Sequence, residues 1–154
     1  MKIGGLEFRD LGEVVLLKDR SGLPERLRPQ DRFTNPNGLS LHKHGDFEFC
    51  KFSVPNLPKG PGVYAFVSGT EVFYIGKASA ISKRFMPGYR LVSPRMCFSG
   101  GPETTCRINA EVLSKTVQGF PIHVMVFETD DFGTVEAELL KQISPPWNRS
   151  GVLV

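Results

Sequence analysis

The stretch that most constrains the fold of this chain runs from residue 61 to residue 77 and reads PGVYAFVSGTEVFYIGK. Its two apolar runs, 63–67 and 72–75, are rich in β-branched and aromatic residues, which favour strands. Between them, Ser68-Gly69-Thr70 supplies the residues that tight turns need. The pattern predicts a β-hairpin.

The length of the turn fixes which residues of the two strands face each other. If three residues form the loop, Val67 pairs with Glu71, and Tyr64 falls opposite Tyr74. Directly opposed side chains share one face of the sheet, with their Cβ atoms roughly 5 Å apart. We therefore expect both phenols to project together, whereas a four-residue loop would break this register.

Length and composition are those of one globular domain, with 154 residues, 40% of them hydrophobic and 23% charged. No apolar run approaches the ~20 residues of a membrane span, so no membrane partner is expected. The first residues, MKIGGLEFRDLGE, become acidic where a signal peptide would have its apolar core. The sequence predicts a cytoplasmic protein.

The cysteines and the paired histidines do not form a recognisable metal motif. Cys50, Cys97 and Cys106 are odd in number and lack a C-x-x-C spacing, which favours reduced thiols over a disulfide framework or a zinc ribbon. His42 and His44 have no cysteine pair near them in sequence and are interpreted as loop residues.

The distribution of charge is more informative than the net charge of +3. Between residues 77 and 107 six basic residues face one acid, and between residues 128 and 138 five acids stand without a base. A phosphate-binding, metal-using site needs such a basic lobe and acidic cluster, because the first attracts the backbone and the second holds a cation. Solvated surface faces would give the same pattern.

Residues 1–60 are predicted to form an N-terminal β/loop extension. Segments 13–18 and 46–52 are strand-like, and the stretch between them is dense in Pro, Gly, Asn and Arg. Its cations make it a candidate DNA-contacting arm, although an ordinary surface loop is the equal alternative. These cations are Arg20, Arg26, Arg28, Arg32 and Lys43.

The remaining pattern after the hairpin predicts three helices and one strand. A short helix covers 78–86, a second begins at Thr104 or Thr105 and ends at Gln118, a strand covers 121–128, and a third helix runs from Gly133 or Thr134 to Ser144. The predicted class is α/β (α+β), with a small three-stranded antiparallel sheet flanked by helices.

Five positions in the second half share the order and spacing of one family. They are Gly62-Val63-Tyr64, Tyr74-Ile75-Gly76, Arg84 ten residues after Tyr74, and Glu136 and Asn148, twelve residues apart in EAELLKQISPPWN. This half resembles the GIY-YIG nuclease family. The resemblance predicts a nuclease domain over residues 61–150, followed by a tail at 151–154.

The resemblance implies an endonuclease that hydrolyses phosphodiester bonds of double-stranded DNA. Glu136 would hold one divalent ion per active site, Mg²⁺ or its substitute Mn²⁺. Arg84 would grip the scissile phosphate. Tyr64 would act as the general base or position the attacking water, and Tyr74 would orient water or phosphate. Which tyrosine is the base stays open.

Four further residues are implied as supporting groups. Gly76 would let the backbone approach the substrate, since it has no side chain, and Lys77 would supply positive charge. Asn148 would tie the end of the chain back to the hairpin. Tyr89 lies five residues after Arg84, where the family often has a tyrosine or histidine at the fourth, so its role stays open.

The insert at 86–104, together with TTCRIN, looks like the branch that contains phage endonucleases and restriction enzymes. It implies a restriction-type enzyme, monomeric or homodimeric. The alternatives are a nucleic-acid-binding module that has lost cleavage, and a repair or mobile-element nuclease. DNA contacts are expected at Lys77, Lys83, Arg90, Arg95, Arg107 and Asn109, of which Asn109 could serve the fold alone.

Overall fold

The computed structural model describes residues 1–148 of the chain. Its strands are β1 (Lys2–Ile3), β2 (Leu6–Glu7), β3 (Arg9–Glu13), β4 (Val15–Leu16), β5 (Phe52–Ser53), β6 (Gly62–Ser68), β7 (Glu71–Ala78) and β8 (His123–Glu128). Its helices are α1 (Ile81–Lys83), α2 (Glu103–Val117) and α3 (Phe132–Gln142), with single 3-10 turns at Pro29–Arg32, Pro94–Cys97 and Pro146–Asn148. The predicted tail at 151–154 lies outside the described residues.

The chain divides into two compact units. Among the described residues, the first comprises Met1–Val15, Val54–Phe85 and 120–148, and the second comprises Leu16–Ser53 and Met86–Gly119. Within residues 1–148, no helix has both the length and the apolar character needed to cross a membrane. The predicted division into an extension and a nuclease domain stays a prediction.

The first unit is built on an antiparallel sheet with the strand order β3-β8-β6-β7. The predicted α+β class is confirmed, and the three predicted strands are β6, β7 and β8. A fourth strand, β3, joins the sheet beside β8. Its sequence, RDLGE, is charged, and its backbone is irregular at Gly12 (φ +123°), as is typical of an edge strand. Because it lacks β-branched residues, a search for strand patterns in the sequence does not find it.

One face of this sheet packs against α3. Val63, Ala65 and Ile75 are fully buried there, and Leu139 of α3 is buried in the same cluster. Other apolar residues of α3 pack against it, namely Phe132, Val135 and Leu140. Burying a side chain of this size contributes about 1.5–3 kcal/mol. The helix is shorter than predicted, because its regular hydrogen bonding ends at Gln142, before the double proline at 145–146.

The opposite face of the sheet carries aromatic side chains. The ring of Phe85 lies 5.2 Å from that of Tyr64 and 5.6 Å from that of Phe66. Trp147 stacks on Phe73, with centroids 4.9 Å apart and ring planes at 12°. The described chain ends one residue beyond this contact, at Asn148.

The first helix of the structure, α1, is shorter than the predicted helix over residues 78–86. Helix α1 is held by hydrogen bonds from Ile81 N–H to the Gly60 carbonyl and from Ser82 N–H to the Pro58 carbonyl. It gives way to an irregular turn over Arg84–Tyr89, in which Met86 is extended (φ −125°, ψ 102°). Pro87 explains this change, since the residue before a proline disfavours the helical conformation.

Helix α2 organises the second unit. Its residues Ile108, Val112 and Leu113 are buried as the periodicity predicts, but Val117 in the last turn is 45% exposed. All three cysteines are free and buried, which confirms the predicted thiols. Burial raises the pKa of Cys50 to about 12, so that thiol stays protonated at neutral pH.

The predicted arm of the second unit is held by ion pairs within that unit. Arg26 contacts Glu48 at 3.1 Å, and Arg28 contacts Asp46 at 2.7 Å and Asp31 at 3.0 Å. Two of its five cations therefore already have carboxylate partners. Whether the arm contacts DNA stays a prediction.

His44, in the second unit, is a buried titratable group. Its ring is 3% exposed and stacks on Phe47, and its Nδ1 atom has no hydrogen-bond partner among the described residues. Burial lowers the pKa of His44, and the nearby charges of Arg107, Lys43 and His42 act in the same direction against Glu103. The imidazole is therefore neutral in the folded state at neutral pH.

We expect stability to fall as the pH drops below the ordinary histidine pKa of 6.5. Below that value the unfolded chain binds a proton that folded His44 resists, so the free energy of unfolding decreases by at most about 1.4 kcal/mol per pH unit. Urea unfolding of the wild type and His44→Gln between pH 5 and 7.5 measures this. Parallel curves for the two proteins would contradict the assignment.

Candidate active site

The strand register of the hairpin differs from the predicted one. Tyr64 pairs with Gly76, and Phe66 pairs with Tyr74. The predicted pairing of Tyr64 with Tyr74 is therefore wrong, because the observed partner of Tyr64 lies two residues further along β7.

Two local features cause this register. The loop contains two residues rather than three, because Ser68 already pairs with Glu71 and Gly69 adopts the left-handed conformation (φ +58°) that such turns need. The register then shifts between Phe66 and Val67, where Phe73 is the extra residue of a β-bulge.

The two tyrosines nevertheless share one face of the sheet. They are diagonal neighbours on β6 and β7, and their ring centroids lie 6.3 Å apart with planes at 36°. Tyr64 is fully buried and Tyr74 nearly so. Both phenols therefore project from the same face, as expected, although the strand register differs from the predicted one.

Gly76 makes room for Tyr64. A Cβ atom on Gly76 would lie 2.5 Å from both Cζ and Oη of Tyr64, a distance that real Cβ contacts do not show. The space above Gly76 is thus filled by the phenol. This corrects the expected reason for the glycine, which was approach of the substrate.

We expect Gly76→Ala to destabilise the protein by about 1–3 kcal/mol, as overpacked cores do, and to displace the phenol of Tyr64. Chemical denaturation and the near-ultraviolet circular dichroism of the tyrosines measure the two effects. Gly133→Ala is the matched control, because a Cβ there meets nothing within 4 Å. Equal stabilities of the two variants would contradict the close contact.

Arg84 is held against Tyr64 at the end of α1. Its Nε atom donates to Oη of Tyr64 at 3.4 Å, and its backbone N–H donates to the Ala80 carbonyl. These contacts place the guanidinium beside the tyrosine pair, on the aromatic face of the sheet.

A cleft of about 300 Å³ opens next to this guanidinium. Its lining has three cationic side chains and no acidic one, and comprises Lys77, Ala78, Ser79, Ala80, Lys83 and Arg84. A cleft of that charge attracts phosphate. Several residues were expected to contact DNA or its phosphates. Of these, the structure brings Lys77, Lys83 and Arg84 together in one cleft.

Glu136 reaches the hairpin from the other face of the sheet. It belongs to α3, and its Oε1 atom lies 3.7 Å from Nζ of Lys77, the residue that follows Gly76. The two halves of the predicted site therefore meet at the end of β7. Two other acids of the 128–138 run are engaged elsewhere, since Glu128 pairs with Arg9 and Glu138 with Lys141.

The donor set around Glu136 suits a hard divalent cation that keeps most of its waters. Among residues 1–148, no group of three or more His, Cys, Asp or Glu side chains is arranged to hold a metal. Mg²⁺, however, commonly binds through one or two carboxylates plus substrate phosphates. One partly exposed carboxylate beside a cationic cleft fits that mode.

Asn148 fastens the exposed edge of the sheet. Its side-chain oxygen accepts from Ile75 N–H at 2.9 Å, and its Nδ2 donates to the Ile75 carbonyl at 2.8 Å. Because β7 is the edge strand, these backbone groups have no further strand to pair with. The amide takes the place of that strand, as the expected tie to the hairpin requires.

Asn148→Ala should reduce the free energy of unfolding by about 1–3 kcal/mol, since it leaves backbone groups of Ile75 without these bonds. Asn148→Asp is the matched comparison, because a carboxylate still accepts from Ile75 N–H but cannot donate to its carbonyl. Urea unfolding measures both variants. A loss in neither would show that the amide contributes nothing to the edge.

Asn109 is a structural residue of the second unit. It is completely buried, and its amide bonds Cys50 N–H, the Cys50 carbonyl and the Tyr89 carbonyl. A side chain so enclosed does not reach DNA, so the expected DNA contact is wrong and the structural alternative holds.

The other expected groups of the second unit have mixed environments. Tyr89 and Arg107 are buried. Arg90 Nε donates to the Phe52 carbonyl at 3.2 Å, and Arg95 donates to the Phe98 carbonyl at 3.4 Å. These contacts tie both arginines to nearby backbone, and their contact with DNA stays a prediction.

Comparison with known proteins gives matches among solved structures alone. No family model and no curated protein matches the sequence. The UvrC domain of Thermotoga maritima with magnesium bound is 24% identical, with a TM-score of 0.41, over 61% of this chain and 89% of that one. Two point mutants of the same domain, one Tyr to Phe and one Asn to Ala, are 25% identical with TM-scores of 0.39 and 0.38. All three are GIY-YIG endonuclease domains.

This is the family that the motifs of the chain resemble. The likeness in overall fold is modest. The functional assignment of this GIY-YIG-like chain therefore depends on its own residues and their geometry.

Proposed function

We propose that the chain is a metal-dependent GIY-YIG endonuclease that hydrolyses phosphodiester bonds of double-stranded DNA. One juxtaposition carries the proposal. Arg84 is bonded to Tyr64 at the mouth of a cationic cleft, and the Lys77 of that cleft contacts Glu136. All four groups occupy positions of the family motifs or directly follow them.

Arg84 is proposed to hold the scissile phosphate. A guanidinium is a planar fork whose donors match phosphate oxygens in pairs. Tyr64 fixes the orientation of that fork by accepting from Nε. The charge that develops on the phosphate in the transition state thus meets a donor group already in place.

The burial of Tyr64 favours a positioning role over that of general base. A base that takes a proton from water must contact the water, and the Tyr64 ring is enclosed by Phe66, Phe85 and Gly76. Tyr74 is nearer to solvent and is proposed to orient the water or the phosphate.

Glu136 is proposed to hold the divalent cation, Mg²⁺ or Mn²⁺. When bound, the ion supplies positive charge for the phosphate oxygens and lowers the pKa of bound water. The chain's part is to present one carboxylate beside the phosphate cleft. We further propose a restriction role and a homodimer. One active site cuts one strand, so two chains would supply the two sites that a double-strand break needs. A DNA substrate also favours the cytoplasmic location expected from the sequence.

Supercoiled plasmid incubated with the protein and Mg²⁺ or Mn²⁺ should become nicked and then linear. We expect Glu136→Gln to lower the cleavage rate at least about a hundredfold, because metal charge stabilisation contributes several kcal/mol. Glu138→Gln is the matched control on the same helix, since Glu138 pairs with Lys141.

Tyr64→Phe should slow cleavage while keeping the shape of the pH–rate profile.

Each outcome separates one reading from another. Binding of duplex without cleavage, across sequences and metals, would favour the alternative of a nucleic-acid-binding module. Discrete fragments would support restriction, whereas scattered cutting would favour a repair or mobile-element enzyme. Full activity of Glu136→Gln would refute the metal site, and a changed pH profile in Tyr64→Phe would restore Tyr64 as the base.

A further inference from the structure

We propose that Lys77 and the divalent cation compete for the carboxylate of Glu136, so that the cation and the DNA bind cooperatively. This inference rests on the proposed function and adds a coupling between its two ligands. In this coupling, Lys77 is the residue that exchanges one anionic partner for another.

The ion pair between Lys77 and Glu136 is long, and its lysine is half exposed to solvent. Its atoms are 3.7 Å apart, and the side chains of Lys77 and Glu136 are 49% and 19% exposed. An ion pair at this separation with a solvated lysine contributes little to stability. A lysine also has a flexible four-carbon stem and a point charge without directional demands. The pair can therefore exchange partners at small cost.

Lys77 has two anionic destinations within its reach. One is Oε1 of Glu136, and the other is a phosphate in the cationic cleft that Lys77 lines with Lys83 and Arg84. Lys83 and Arg84 would hold a phosphate there without it. Lys77 is the residue that the structure places at both the cleft and the carboxylate.

A cation at Glu136 changes the preference between these destinations. Its double charge more than neutralises the single charge of the carboxylate, so the metal-bound carboxylate repels the ammonium at short range. Lys77 then gains more from a phosphate than from Glu136. Conversely, a phosphate that draws Lys77 away leaves the carboxylate with its full charge for the cation. Such coupling is reciprocal by thermodynamic necessity.

Binding of Mn²⁺ to the full chain without DNA tests the competition directly. Electron paramagnetic resonance of free Mn²⁺ reports the affinity and does not depend on catalysis. We expect Lys77→Met to bind Mn²⁺ about two- to fivefold more tightly than the wild type, in line with the weakness of an ion pair whose lysine is solvated. Lys83→Met, which removes a cation from the same cleft but not from Glu136, should leave the Mn²⁺ affinity unchanged.

Duplex affinity tests the coupling. Fluorescence anisotropy of a labelled duplex, with Ca²⁺ or with EDTA, should show tighter binding with Ca²⁺, which takes similar oxygen ligands. The gain should be smaller in Lys77→Met than in Lys83→Met. Thermal unfolding of each variant checks that the exposed substitution leaves the fold intact.

The failures of the two proposals are distinguishable. If Glu136→Gln abolishes Mn²⁺ binding while Lys77→Met binds Mn²⁺ no better than the wild type, the competition is refuted and the metal site stands. If Mn²⁺ binding survives Glu136→Gln, the metal site of the proposed function is itself refuted.

Discussion

The β-bulge at Phe73 decides which side chains of the hairpin reach which face of the sheet. With the two-residue loop and no extra residue, Tyr64 would pair with Ile75, and Tyr74 would turn to the face that packs against α3. The bulge adds one residue to β7 and returns Tyr74 to the face of Tyr64. That single inserted residue determines three features of the hairpin. They are the tyrosine pair, the contact between Gly76 and Tyr64, and the face of the sheet on which Lys77 lies.

The edge of the sheet is where the two halves of the candidate site meet, so its rigidity matters. Strand β7 has β6 on one side and, on the other, the amide of Asn148 bonded to Ile75. Trp147 stacks on the bulge residue itself. The C-terminal segment of the described chain thus stabilises the same irregularity that orders the tyrosines. This gives a physical reason for a family motif so far along the chain from the hairpin.

The sequence predicted element types and the motif residues better than the contacts between them. The resemblance to the family's motifs predicted Tyr64, Arg84, Glu136 and Asn148 as site residues, because motifs record residue types and distances along the chain. It missed the bulge, since either loop length suits the Ser-Gly-Thr turn, and it misplaced the reason for Gly76, which lies in a tertiary contact. The sequence left Asn109 open between a DNA contact and a structural role, and its burial follows from packing that periodicity does not report. The charged edge strand β3 was missed for want of β-branched residues.

The two halves of the candidate site differ in how firmly they are held, and the difference suits their proposed tasks. Tyr64 and Arg84 are fixed by aromatic packing and a hydrogen bond, and a fixed donor loses nothing to reorganisation when charge develops on a phosphate. Glu136 and Lys77 are joined by a 3.7 Å pair whose lysine is half exposed, so that water screens its charge. A rigid carboxylate–lysine pair would exclude the cation, and a carboxylate with no lysine would bind cations without DNA. A weak pair at the edge of a phosphate cleft avoids both outcomes, because it yields only when a stronger charge arrives.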